Sequence, residues 1–128
     1  MKDNFILAIS GNDIFSGGGL HADLATYTVN QLHGFVAVTC LTAMTEQGFE
    51  VIPVDTTVFA QQLNSLKDVP FSAIKLGLLP NVEVADLALD FVKAQIYPLI
   101  SLFYRLQTAP PKQYPDNLPV LPPHCRYL

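Results

Sequence analysis

Short, nearly uncharged apolar runs alternate along the first 95 residues with stretches in which apolar side chains recur every three or four positions. The run Phe5-Ile6-Leu7-Ala8-Ile9, stopped by Ser10-Gly11-Asn12-Asp13, predicts a strand buried on both faces. From Gly17 to Leu32 the spacing of Leu20, Leu24 and Tyr27 predicts a helix packed along one stripe, with Gly34 as its C′ residue. Phe35–Leu41, rich in β-branched residues, predicts a second buried strand. Val51-Ile52-Pro53-Val54 predicts a short edge strand, since proline has no N–H to give a central ladder. Asp55 or Thr56 caps the next predicted helix, with Phe59, Leu63 and Leu66 facing inward. Ala73–Gly77 then predicts a strand, and Asn81 caps a helix whose stripe is Val84, Leu87 and Phe91. Strands alternating with helices imply crossovers and a mostly parallel sheet, so the predicted fold class is α/β.

Composition changes this picture at one point. All seven glycines precede residue 78, whereas seven of the ten prolines fall in the last 33 residues. Proline fixes φ and removes a donor, so a boundary is expected near residue 95, followed by a proline-rich tail, 96–128. A net charge of −4 argues against a nucleic-acid partner, and no apolar run suits a membrane span or a secretory leader, so the expected location is the cytoplasm. Cys40 and Cys125 lack metal or redox spacing, and neither a disulfide framework nor a metal site is expected.

Candidate chemistry concentrates between Ser10 and Asp23. Gly17-Gly18-Gly19 joins the first strand to the first helix, where open α/β sheets bind ligands. Glycine lets backbone approach a ligand, and helix-start N–H groups can receive an anion or a polar oxygen, which makes Gly11, Asp13, Gly17 and Gly19 candidate loop contacts. A ligand-free flexible loop is the plainer reading. Gly17-x-Gly19-x-x-Ala22 also satisfies a dinucleotide fingerprint. The loop before it is too long, however, and Cys40-Leu41-Thr42 offers no acid for a ribose hydroxyl. A Walker A loop fails for want of Gly-Lys-Ser/Thr.

Four blocks then carry a resemblance: Ile9–Asp13, Ser16–Leu24, Val38–Thr45 and Ala73–Leu79. In order and spacing they resemble hydroxymethylpyrimidine/phosphomethylpyrimidine kinases and the related pyridoxal kinases, over residues 4–95. The resemblance implies the N-terminal part of a three-layer ribokinase-like fold and ATP-dependent phosphorylation of a hydroxymethyl group, in vitamin B6 salvage or thiamine synthesis. It also implies that Gly18, Asp23, Met44 and Leu78 surround the heterocycle. Asp23 either bonds a ring substituent or only complements the helix N-terminus. Met44 stands where pyrimidine kinases of this family commonly have glutamine. A thioether packs against a pyridine ring better than it pairs with an aminopyrimidine edge, which favours pyridoxal or pyridoxine; plain core filling is the alternative. Asp13 either orients the loop or makes an Asx turn. Lys75 reads as a solvated strand-end lysine, with approach to a phosphate as the alternative; His21 and His33 read as solvent-facing helix residues and Cys40 as a small buried hydrophobe.

Such kinases resemble one another in a C-terminal Gly-x-Gly-Asp segment, whose aspartate takes the substrate proton. This sequence contains none, and no nucleophile–base pair stands out. The expectation is a truncated kinase, its C-terminal half missing and its reading frame shifted or otherwise disrupted from about Gln95. ATP and Mg²⁺ are expected for the intact protein and not for this chain alone, and the intact parent is compatible with a homodimer. The alternative is a non-catalytic vitamin-binding or partner-binding module.

Overall fold

The computed structural model describes residues 4–95 and, as backbone, a strand at 101–106. Its elements are β1 (Phe5–Ser10), α1 (Gly19–Val29), β2 (His33–Val38), β3 (Cys40–Thr45), β4 (Gly48–Pro53), α2 (Thr56–Leu66), β5 (Phe71–Leu79), α3 (Val82–Ala94) and β6 (Ser101–Leu106). Four strands form a parallel sheet in the order β2-β1-β5-β6, and β3 pairs antiparallel with β4 in a separate two-stranded sheet. The chain steps from β1 to β2 through α1, then returns past β1 to β5 through α2 and continues to β6 through α3. Reversing direction at constant crossover hand puts α1 on one face and α2 and α3 on the other. It also makes the carboxyl ends of β1 and β5 a topological switch point, where such sheets open a crevice.

The two faces are packed differently. Leu7, Ile9, Ala37, Ile74 and Leu76 meet Phe59 and Leu63 of α2 and Val84, Ala85, Ala88 and Val92 of α3 in one apolar cluster. On the other face Ala8 packs with Leu20 and Tyr27 of α1, helped by Ile6, Leu32, Val36 and Val38. Local signals placed several elements. Asp55 caps α2 by accepting from the backbone N–H groups of Thr57 (2.9 Å) and Val58 (3.2 Å), and Asn81 caps α3 by accepting from Val84 (2.9 Å). In α3 the fully inward positions are Val84, Ala85, Ala88 and Val92, with Leu87 and Phe91 only partly buried at the edge of the cluster.

Two expectations are corrected. α1 ends at Val29, and its C′ residue is Gln31 (φ 59°) rather than Gly34. The N–H of Leu32 bonds the carbonyl of Tyr27 (2.9 Å) and that of Gln31 the carbonyl of Thr28 (3.1 Å), a Schellman closure. Gly34 instead lies in β2, where a Cβ would stand 2.7 Å from Leu24 Cδ2 and 2.9 Å from Tyr27 Cδ2, so the helix crosses the strand at glycine distance. Leu24 itself sits at the edge of the stripe, about one-third exposed. The run Phe35–Leu41 is not one strand but parts at Thr39, whose N–H bonds Ser10 (2.9 Å), whose carbonyl accepts from Val54 (3.0 Å) and whose hydroxyl donates to the carbonyl of Leu78 (2.7 Å). The backbone of β6 pairs with β5 from Lys75↔Ser101 to Leu79↔Leu106, beyond the expected compositional boundary near residue 95; the rest of 96–128 lies outside the described residues.

Candidate functional site

The segments singled out by sequence converge at the carboxyl ends of β1 and β5. Ser10 ends β1, and its hydroxyl accepts from the N–H of Leu78 (3.4 Å). Gly77 lies beside it, so close that a Cβ would stand 2.1 Å from Ser10 Oγ and 2.6 Å from Ser10 Cβ. The turn after β1 is tied to β3: Asn12 Oδ1 accepts from the N–H of Thr42 (2.7 Å), the Thr42 hydroxyl donates to the Asn12 carbonyl (3.2 Å), and the N–H of Asn12 bonds the carbonyl of Cys40 (3.2 Å). Cys40 is fully buried, and that burial raises its thiol pKa.

Asp13 holds the glycine turn. Its Oδ1 accepts from the N–H of Phe15 (2.9 Å) and its Oδ2 from that of Gly18 (3.0 Å), so both of its roles, turn former and loop organiser, are present at once. The carboxylate at the start of α1 is therefore the protein's own. Gly19 takes φ +61°, a Cβ there would stand 2.5 Å from the Gly11 carbonyl, and that carbonyl accepts from Leu20 (3.1 Å). Gly17 is exposed at the tip of the turn. Gly18 differs from its neighbours. Its φ of −154° suits any residue, and a Cβ would meet nothing nearer than Asp13 Oδ2 at 3.8 Å, so neither conformation nor internal packing requires glycine there.

Asp23, on the second turn of α1, is buried and ion-paired through Oδ1 with Lys75 of β5. Lys75 is thus neither a solvated strand-end residue nor free for a phosphate: it stands mid-strand opposite Ala8, with its ammonium on the carboxylate. Asp23 Oδ2 and the Tyr27 hydroxyl, one helical turn apart, are buried and find no hydrogen-bond partner among the described residues. Burial, followed by the charge of Asp23, pushes the Tyr27 hydroxyl pKa up to about 12. Sequence reasoning missed this pairing because 52 residues separate its members. A signal existed: one acid between Leu20 and Tyr27, and one lysine inside an apolar strand, each interrupt an otherwise apolar pattern.

Met44 and Leu78 take different positions. Leu78 is half-buried at the end of β5, its backbone N–H and carbonyl held by Ser10 and Thr39. Met44 is exposed on β3 opposite Phe49, which overturns its reading as core filler. His21 is exposed on α1 as expected, whereas His33 lies on β2, not on a helix, with its ring centroid 4.8 Å from that of Phe35.

Residues 13–101 match the family model for phosphomethylpyrimidine kinase. The chain belongs to this family. Among its curated relatives, the hydroxymethylpyrimidine/phosphomethylpyrimidine kinase of Synechococcus elongatus is 35% identical over 96 residues, spanning 73% of this chain and 36% of the relative. The pyridoxine kinase of Bacillus subtilis is 34% identical over 91 residues, spanning 68% and 34%. The chain thus spans about one-third of the length of the curated phosphomethylpyrimidine and pyridoxine kinases it matches. The pyridoxal kinase of Staphylococcus aureus in complex with AMP-PCP and pyridoxal superposes with a TM-score of 0.68 at 30% identity, covering 73% of this chain and 36% of that one. The α/β architecture, with its mostly parallel sheet and flanking helices, is the ribokinase-like fold of these family members. Among the described residues no helix is long and apolar enough to cross a membrane, and no three His, Cys, Asp or Glu side chains gather as a metal site.

Proposed function

We propose that residues 4–95 form the heterocycle side of a vitamin-kinase site that phosphorylates the hydroxymethyl group of pyridoxal, pyridoxine or hydroxymethylpyrimidine. The observation that carries the reading is the linkage of the sequence blocks at the switch point between β1 and β5: Gly18 and Asp23 follow β1 into α1, Leu78 is bonded to Ser10 and Thr39, and the strand that carries Met44 is tied to the turn through Asn12 and Thr42. Gly18 supports it separately, because a ring stacked over that turn supplies the reason for glycine that internal packing does not. The exposed Met44 thioether offers an apolar, polarizable wall with no paired donor and acceptor, which favours a pyridine over an aminopyrimidine.

ATP and Mg²⁺ belong to the reaction of the whole protein. Neither fits the described residues. The N–H of Gly18, the N-cap of α1, already serves the Asp13 carboxylate, whose charge repels a phosphate, and no carboxylate cluster gathers for the ion among the described residues. We therefore assign Gly11, Asp13, Gly17 and Gly19 the task of shaping the turn rather than holding an anion. Phosphoryl transfer also needs a proton acceptor, and no Gly-x-Gly-Asp segment occurs in the 128 residues.

The test is calorimetric titration of the 128-residue chain with pyridoxine and with 4-amino-5-hydroxymethyl-2-methylpyrimidine, with an ATP-dependent phosphorylation assay alongside. Binding of at least one ring, with pyridoxine the tighter, and no turnover is the expected result. Binding of neither ring removes the site reading, and turnover by the chain alone overturns the assignment of the proton acceptor elsewhere.

A further inference from the structure

Helix α1 runs back down the sheet from the switch point. Asp23 is four residues into it, roughly 6 Å at 1.5 Å per residue. Ala8 lies two residues below the end of β1, roughly 6.6 Å at 3.3 Å per residue, and Lys75 is its register partner on β5. The matching depths are why a helix carboxylate and a strand ammonium meet one layer beneath the strand ends.

The pair is only half satisfied. Lys75 engages Oδ1, while Oδ2 is buried and finds no donor among the described residues. A buried carboxylate oxygen without a donor is costly, and an ion pair whose only task was to pin a helix to a strand would do no better than two apolar residues of the same volume. Lys75 keeps 30% of its side chain exposed, so the pair borders solvent on the strand side.

We propose that Lys75 is a positioning residue for heterocycle recognition: its ammonium fixes the Asp23 carboxylate so that Oδ2 accepts a hydrogen bond from a ring hydroxyl or amino group. The proposal rests on the heterocycle reading given above. The ammonium acts through Asp23, not by touching the ring; it holds one carboxylate oxygen in place, so that the other oxygen meets the donor as a charge-assisted acceptor. The ligand class that follows is an aromatic nitrogen heterocycle carrying a hydroxymethyl group and a ring hydroxyl or amino donor, as both a hydroxypyridine and an aminopyrimidine do.

The experiment compares wild type, Lys75→Met, Lys75→Arg and the paired Asp23→Asn/Lys75→Met by calorimetry. The probes are pyridoxine, 4-amino-5-hydroxymethyl-2-methylpyrimidine, and the same two rings without the phenolic hydroxyl or the amino group. In the wild type, removing the donor from the ring weakens binding by roughly ten- to a hundredfold, the size of a charge-assisted hydrogen bond. Lys75→Met abolishes that difference by weakening only the donor-bearing rings, and Lys75→Arg largely restores it. Should Lys75→Met unfold, the paired variant, which buries no uncompensated charge, shows the same loss of discrimination. If Lys75→Met or the paired variant weakens all four ligands equally, or keeps the wild-type discrimination, the positioning role is wrong while the heterocycle site stands. If the wild type binds no ring at all, the heterocycle reading and this inference fall together.

Discussion

The two faces of one sheet differ in what they bury. Towards α2 and α3 the sheet presents Leu7, Ile9, Ala37, Ile74 and Leu76, and Phe59, Leu63, Val84 and Ala88 complete a dry cluster with no charged member. Towards α1 the same strands present Ala8, Ser10, Lys75 and Gly77, met by Leu20, Asp23 and Tyr27. Apolar area drives folding on the first face. Polar atoms with no partner among the described residues, glycine-distance contacts and an ion pair occupy the second, which is the face that ends at the glycine turn. Stability and the proposed recognition are therefore divided between opposite sides of the same strands.

Substitution on the dry face gives the largest effect. Phe59→Ala is expected to cost about 3–5 kcal/mol, read as a lower urea midpoint, because a fully buried ring leaves a cavity that the sheet cannot close. A loss as small as that of a surface change would show that the α2 contact is not central to the fold. On the α1 face Gly77→Ala is next, at about 1–3 kcal/mol from overpacking. Rotation of the Ser10 hydroxyl cannot relieve it, since Ser10 Cβ would also lie at 2.6 Å; Ser10→Gly in the same chain is expected to recover part of the loss. Gly77→Ala without cost would mean that β1 and β5 can separate freely.

How legible this was depends on the range of the interaction that decides each element. Asp55 and Asn81 bond N–H groups two or three residues away, and both caps were readable. The break at Thr39 was not, because Phe35–Leu41 has uniform strand character and the residues that interrupt it are Ser10, Val54 and Leu78. Gly34 was mistaken for a helix stop for the same reason: its meaning is set by Leu24 and Tyr27 crossing above it, and Gln31 supplies the left-handed position instead. At the site, the glycine turn and Asp23 were visible as residues. What Asp23 binds was not, since Lys75 reaches it only through the β1–β5 register.

Smaller changes sharpen the contrast. Asp55→Ala removes the acceptor for two backbone N–H groups of α2 and is expected to cost about 1 kcal/mol, with no effect on heterocycle binding. Binding altered as strongly as stability would mean that the faces are coupled. Tyr27 tests the α1 face by pH. Its hydroxyl holds its proton to about pH 12 in the fold and gives it up near 10 when unfolded, so stability is unaffected below pH 10 and falls between 10 and 12. Tyr27→Phe is expected to flatten that decline and to leave neutral-pH stability equal or higher, because it removes a buried hydroxyl with no partner among the described residues. A stability loss at pH 7 would show that the hydroxyl is satisfied after all.

The division between the faces is tested most directly by a ¹⁵N-resolved NMR titration of the chain with pyridoxine. The account predicts chemical-shift changes along 11–23, 39–45 and 75–79, with the amides of α2 and α3 unmoved. Changes centred on α2 and α3, or none at saturating ligand, would contradict it.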